Sequence, residues 1–295
     1  MAESPLPFTI ETFTAGDGYR WRYRHFTPTR EPKANVVCVH GIQSHGGWYT
    51  YSATRLRNAG FAVYFLDRRG AGLNDQDRGD APSFRRLMAD VAEFLTWLRQ
   101  RSSRPIFLVG ISWGGKLVTA LQRRYPGLTN GLVLMSPGFF SIYQPSLFHR
   151  IKTLFITRLV APRRLYDIPL TEPELFTASP HWRRFIAEDP LMLRQGTTRL
   201  AVENGRLDGY LRLFRVVLDI PVLLMLAEHD RIIDNAATRR FIESVTRGPL
   251  AIIEYPGAHH TLEFEPNPDL FINDLIAWLE RHLILAQTAL SRCAP

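Results

Sequence analysis

Residues Leu108 to Leu117 read "LVGISWGGKL", an apolar run that gives way to Gly-Ile-Ser-Trp-Gly-Gly and then to a helix-like start. Glycines stand two residues before and two after Ser112. In a strand-to-helix turn tight enough to lift a side chain above a sheet, side chains at those two positions collide with each other or with the flanking elements. Gly110 and Gly114 remove them, leaving a serine hydroxyl exposed at a helix N-terminus. The pattern predicts a buried strand before Ser112 and a helix after it, with Gly115 allowing close helix packing.

The surrounding chain supplies the sheet this turn needs. Residues 8–28 alternate polar and apolar around "AGDGY", which predicts a hairpin. Short runs without alternation follow as buried strands: "ANVVCVH", "FAVYFLD", "PIFLVG" and "GLVLMSP". Between them "TYSATRLRNAG" reads as a helix closed by Gly60. "SFRRLMADVAEFLTWLRQR" reads as a helix capped by Ser83, with Leu87, Val91, Phe94, Leu95 and Leu98 at helical spacing. The order resumes after a gap with "IPVLLMLAEHD" (strand), "NAATRRFIESV" (helix), "LAIIEYPGA" (strand) and the amphipathic "LFINDLIAWLERHLI". Continuous Val/Ile/Leu strands alternating with helices predict an α/β fold with a mostly parallel sheet flanked by helices on both faces. Residues 138–218 carry no clear strand-like run and read as a helical cap inserted between two sheet strands, too long for a loop. The core is then 1–137 and 219–295.

Composition narrows the class. The chain has 295 residues, 45% of them hydrophobic and 12% aromatic, enough for a large core. No run reaches the roughly 20 apolar residues of a membrane-spanning helix. The start "MAESPLPFTI" lacks the basic and apolar regions of a secretory signal, so the expected location is cytoplasmic. Cys38 and Cys293 form neither a disulfide framework nor a metal spacing. The net charge of +8 is almost all arginine, with Lys33, Lys116 and Lys152 the only lysines. It contains no sustained basic block and no nucleic-acid motif, so no nucleic-acid partner is expected.

A serine hydroxyl is a poor nucleophile near neutral pH unless a histidine takes its proton and a carboxylate fixes that histidine's tautomer. Both partners should follow the serine in chain order, each just past a strand. Asp230 falls in the first turn after the run ending at Ala227; Asp234 lies further on and reads as the N-cap of the next helix. His259 and His260 both follow the run ending near Tyr255, and spacing does not separate them. An oxyanion hole needs two backbone amides. One is expected from Trp113 and the other from Ile42, in the "HGIQSHGGWY" loop after "VVCVH", where Gly41 permits a sharp turn. His40 reads as a brace for that loop. His25, His149, His181 and His282 read as structural or surface residues.

Together these stretches resemble the α/β-hydrolase fold, and within it the monoacylglycerol lipase, lysophospholipase and serine aminopeptidase group, over nearly the whole chain. "HGIQSHGGWY" is similar to that group's His-Gly loop, and "LDRRGAGLN" to its Asp-x-Arg-Gly-x-Gly-x-Ser segment, here ending in Asn74. "GISWGGK" resembles the elbow, "AEHDRIID" the acid loop, and "YPGAHHTLEFE" the Gly-Ala-x-His-x-Leu histidine loop. "FIAEDPLML" is similar to an Asp-Pro-Leu stretch of its lids. The resemblance places the base at His260 and implies a Ser112–His260–Asp230 triad with Ile42 and Trp113 at the oxyanion, no cofactor and no metal. Asp67 and Arg69 read as structural. Lys116 and Ile111 stand where the group often carries a small residue and a histidine.

The expected function is hydrolysis of a carboxylic ester by an acyl-enzyme route, with a monoacylglycerol or lysophospholipid as substrate. A carboxylesterase, thioesterase or serine aminopeptidase would use the same triad. A non-catalytic binding protein on this fold would be expected to lack a triad member. The cap stretch "SLFHRIKTLFITRLV", with Arg150, Arg158, Arg163 and Arg164, suggests peripheral contact with the inner membrane face.

Overall fold

A computed structural model of the chain describes residues 6–143, 162–213 and 216–292, the last nine of these without their side chains. Strands β1 (Thr9–Thr14) and β2 (Arg20–Phe26) form the expected antiparallel hairpin, with Thr14 opposite Arg20. The parallel set is β3 (Asn35–Val39), β4 (Ala62–Leu66), β5 (Ile106–Ile111), β6 (Gly131–Met135), β9 (Val222–Ala227) and β10 (Leu250–Tyr255). Their spatial order is β1-β2-β4-β3-β5-β6-β9-β10, with β2 joining β4 antiparallel. β3, β4, β5, β6 and β9 are buried at every position, as their lack of alternation required.

Helices α1 (Thr50–Asn58), α2 (Phe84–Arg101), α3 (Trp113–Arg124), α6 (Asn235–Val245) and α7 (Asp269–Arg292) connect and follow these strands. Ser83 caps α2 by accepting from the Arg86 amide at 3.0 Å. Gly60 closes α1 at φ +95°, a conformation that strains any residue with a Cβ. Two hydrophobic clusters lie on the two faces of the sheet. One joins Trp21, Phe94 and Leu117 and the other Phe65, Trp48 and Phe264.

Between β6 and β9 the described residues carry α4 (Pro180–Glu188) and α5 (Thr198–Leu213). They also carry a two-stranded antiparallel ribbon, β7 (Leu165–Asp167) and β8 (Gln195–Thr197). The ribbon corrects the expectation of a strand-free segment. At three residues per strand it is too short to leave a period in the sequence, and long-range pairing alone creates it. The "SLFHRIKTLFITRLV" stretch, with Arg150 and Arg158, lies outside the described residues. Among those described, no helix is long and apolar enough to cross a membrane.

Candidate active site

Ser112 sits between β5 and α3 with φ 51° and ψ −121°, a backbone state that a β-carbon makes costly. Its neighbours explain the two glycines. A Cβ on Gly110 would stand 2.4 Å from Val118 Cγ2 and 2.7 Å from Gly115 Cα. One on Gly114 would stand 2.3 Å from the Val39 carbonyl oxygen at the end of β3. The strained serine is therefore held by the sheet on one side and its own helix on the other.

The turn after β9 brings Asp230 under the turn after β10. Asp230 Oδ1 accepts from the amides of Ile232 at 2.8 Å and Ile233 at 2.9 Å, which fixes the carboxylate. Its Oδ2 lies 2.7 Å from His260 Nδ1, and His260 Nε2 lies 3.0 Å from Ser112 Oγ. An ionised carboxylate only accepts, so Nδ1 carries the proton and Nε2 is left to accept from the serine hydroxyl. The Asp230 side chain is fully buried and that of His260 nearly so, leaving this relay dry on the acid side. His259 turns away: its amide and Nδ1 both meet Glu265. Asp234 caps α6 by accepting from the Ala237 amide at 2.8 Å.

The loop after β3 closes over the serine. A Cβ on Gly41 would lie 3.3 Å from Ser112 Cβ and 3.7 Å from its Oγ, so the backbone at Gly41 passes beside the nucleophile turn. His40 donates from Nδ1 to the Gly41 carbonyl at 2.8 Å and accepts at Nε2 from the Arg68 amide at 3.1 Å. Burial, with Arg68 nearby, pushes its pKa down to about 3, so it is a neutral brace. Arg68 Nη2 donates to the Ile42 carbonyl. Asp67 accepts from Arg24, Gly46 and Leu73, and Arg69 pairs with Asp90 and Asp17, so both hold loops together.

Several contacts here have no plain signal in the sequence. Lys116, buried at the first turn of α3, donates to Asn204 and Asp208 of α5, each at 2.7 Å. Trp113 Nε1 donates to the same Asn204 oxygen at 2.8 Å. Asp189, in the "FIAEDPLML" stretch, accepts from Trp48 Nε1 at 2.6 Å and from His45 Nε2 at 3.0 Å. Burial works to raise the Asp189 pKa, but these bonds win and hold it below the ordinary aspartate value. Phe176 sets its ring 6.0 Å from that of His260. Among the described residues no cluster of His, Cys, Asp and Glu is arranged to hold a metal ion.

An eight-stranded, mostly parallel sheet with a strained serine at the end of its central strand and a histidine and aspartate past the later strands defines an α/β-hydrolase. The family model described as serine aminopeptidase S33, of the Hydrolase_4 type, matches residues 30–267, and the chain belongs to that family. It is an enzyme of the hydrolase class. A monoacylglycerol lipase of Mycolicibacterium smegmatis is 28% identical over 92% of this chain and 97% of that protein. Lysophospholipase L2 of Escherichia coli is 27% identical over 92% of this chain and 87% of its own length. The crystal structure of a monoacylglycerol lipase from Paleococcus ferrophilus superposes with a TM-score of 0.78 at 25% identity, covering 92% of this chain and 99% of that one.

Proposed function

We propose that the protein is a serine hydrolase of carboxylic esters, with a monoacylglycerol or lysophospholipid as substrate. The observation that carries this reading is the hydrogen-bond relay from Asp230 through His260 to a serine held at positive φ. Similarity to a monoacylglycerol lipase and a lysophospholipase over most of the chain supports the lipid-ester class.

In this mechanism His260 Nε2 takes the Ser112 proton as Oγ attacks the ester carbonyl carbon. The carbonyl oxygen becomes an oxyanion, met by the Ile42 and Trp113 amides. On collapse the alcohol leaves with the proton from His260, and the acyl group stays on Ser112. Water then attacks that acyl ester as it gives a proton to His260, and on collapse the bond to Oγ breaks and His260 returns the proton to Ser112, releasing the acid and the free serine. Asp230 holds the imidazole tautomer and balances the imidazolium charge. Residues 138–218 act as the cap over Ser112, and through it the enzyme meets its substrate at the inner face of a membrane.

The test is hydrolysis of a panel by wild type and by Ser112→Ala: p-nitrophenyl esters, a monoacylglycerol and a lysophospholipid in anionic vesicles, an acyl-thioester and an amino-acid anilide. Ser112→Ala is expected to lower turnover of the glyceride or lysolipid by at least about 10³-fold. Serine-dependent cleavage of only the short esters, the thioester or the anilide would discard the lipid assignment.

A further inference from the structure

Arg68 is a buried cation that the relay does not use. It follows Asp67 at the end of β4, 5% exposed, with its guanidinium carbon 5.1 Å from the centre of the Trp113 ring. Nη2 donates to the Ile42 carbonyl, so the group bridges Ile42 and Trp113, the two residues expected at the oxyanion. Nε and Nη1 are buried and have no acceptor among the described residues. A guanidinium has no acceptor capacity of its own and stays charged, so desolvated N–H groups without partners call for an oxygen-rich ligand.

The carboxylate that should neutralise Arg68 is already taken. Asp67 accepts both oxygens' worth of bonds from Arg24 and from the Gly46 and Leu73 amides. Arg78 adds a second positive charge close enough to depress the Arg68 pKa, after burial itself, to about 10. Arg78 in turn spends its donors on the carbonyls of Gly72 and Leu191. From the segment after β6 the neighbour is Tyr166, a phenol that burial keeps neutral. Beside Ile42 the wall is apolar, formed by Ala71, Ile168 and Leu193. Asp67 offsets part of this charge through space but takes no hydrogen bond from Arg68, so Nε and Nη1 are left without an acceptor among the described residues.

We infer that Arg68 is a specificity residue that takes an anionic oxygen of the substrate, so that the enzyme prefers esters carrying a phosphate or carboxylate a few bonds from the scissile carbonyl. This inference rests on the reading of Ser112 as the nucleophile. Charge-assisted bonds to a guanidinium are the strong kind, and the bound anion also supplies the buried charge pair. The preference belongs to binding in both ground and transition states, so it should appear chiefly in KM.

The experiment compares three decanoyl esters: 1-decanoylglycerol, 1-decanoylglycerol 3-phosphate and O-decanoyl lactate. Wild type is expected to favour one of the anionic esters over the neutral glyceride by about tenfold or more in kcat/KM. Whether the phosphate or the carboxylate is preferred identifies the anion. Arg68→Met should bring that ratio close to unity by raising KM for the anionic ester, and Arg68→Lys should keep a preference. Equal kcat/KM for all three esters in wild type, or a kcat loss common to all three in Arg68→Met, overturns the inference and leaves Arg68 as a brace for the Ile42 loop. Should Arg68→Met fail to fold, wild type still decides the matter. The free anion that matches the preferred ester, glycerol 3-phosphate or lactate, should compete against 1-decanoylglycerol where glycerol at equal ionic strength does not, and failure to compete overturns the inference. If no ester is cleaved and a fluorophosphonate leaves Ser112 unlabelled, the nucleophile reading falls and the inference with it.

Discussion

The nucleophile turn and the segment between β6 and β9 are held by opposite means. Around Ser112 the constraint is steric: Gly110 and Gly114 leave no room for a methyl group, and the sheet and helix fix the backbone without a side-chain bond. The described part of the segment between β6 and β9 is fastened by buried polar groups instead. Asp189 ties it to His45 and Trp48, Lys116 ties α3 to Asp208, and Asp80 accepts from Thr197 and Arg199. A steric site tolerates changes of pH and fails on a single added carbon. A polar fastening tolerates small changes of volume and fails when a charge or an acceptor is removed.

The sharpest way to break this contrast is Gly114→Ala. Its methyl group would meet two backbone carbonyls, those of Val39 and His40, neither of which has a flexible end to move aside. The expected cost is at least about 3 kcal/mol, read as a thermal midpoint lowered by about 6 °C or more. Full retention of stability would mean the turn is looser than its contacts require.

Asp189→Ala tests the other side. It strands the Trp48 and His45 donors and the Leu191 amide in a buried place, for a loss of about 2–4 kcal/mol in urea unfolding. Asp189→Asn keeps an acceptor and should lose less. If the alanine variant unfolds at the wild-type urea concentration, the polar fastening carries no weight.

The smallest effect distinguishes the regions by the sign of their pH response. Asp80 and Asp189 have pKa values lowered in the folded chain: burial opposes this, but bonds from Arg199 and from His45 outweigh it. Their stabilisation is present above the unfolded value near 3.8 and is lost as pH falls through the folded value. Glu263, beneath α1 in the core, behaves in reverse. Burial pushes it from 4.5 up to about 7, with only backbone and hydroxyl donors such as Ser52 opposing. The folded state keeps a proton the unfolded state gives up, so its contribution is full below about 4.5 and lost as pH rises through about 7. Glu263→Gln should therefore flatten the stability profile between pH 5 and 8 and gain stability at the alkaline end, by less than Asp189→Ala loses. An unchanged slope would show that Glu263 is ionised at no cost.

How much of this the sequence carried follows the same division. Steric demands leave residue types behind: glycines around a serine, uninterrupted Val/Ile/Leu strands, and a Ser83 or Gly60 at a helix end. Those were legible, as was the order of serine, aspartate and histidine past successive strands. Spacing did not separate His259 from His260, because adjacent residues in a turn differ only in side-chain direction; Glu265 takes one of them and Asp230 the other. The three-residue ribbon β7–β8 and the Asp189–His45 bond join residues far apart in the chain and leave no local pattern. Arg68 leaves no mark of its own beside Asp67 and Arg69, which carry the recognisable turn, and only its buried Nε and Nη1, without an acceptor among the described residues, set it apart.

Whether Ser112 is a nucleophile driven by His260 and Asp230 is decided by treating the folded protein with an alkyl fluorophosphonate and mapping the adduct by mass spectrometry. One adduct is expected, on Ser112, absent in Ser112→Ala and formed at least about 10³-fold more slowly in His260→Ala. An adduct on another residue, or none on a folded wild-type chain, would contradict it.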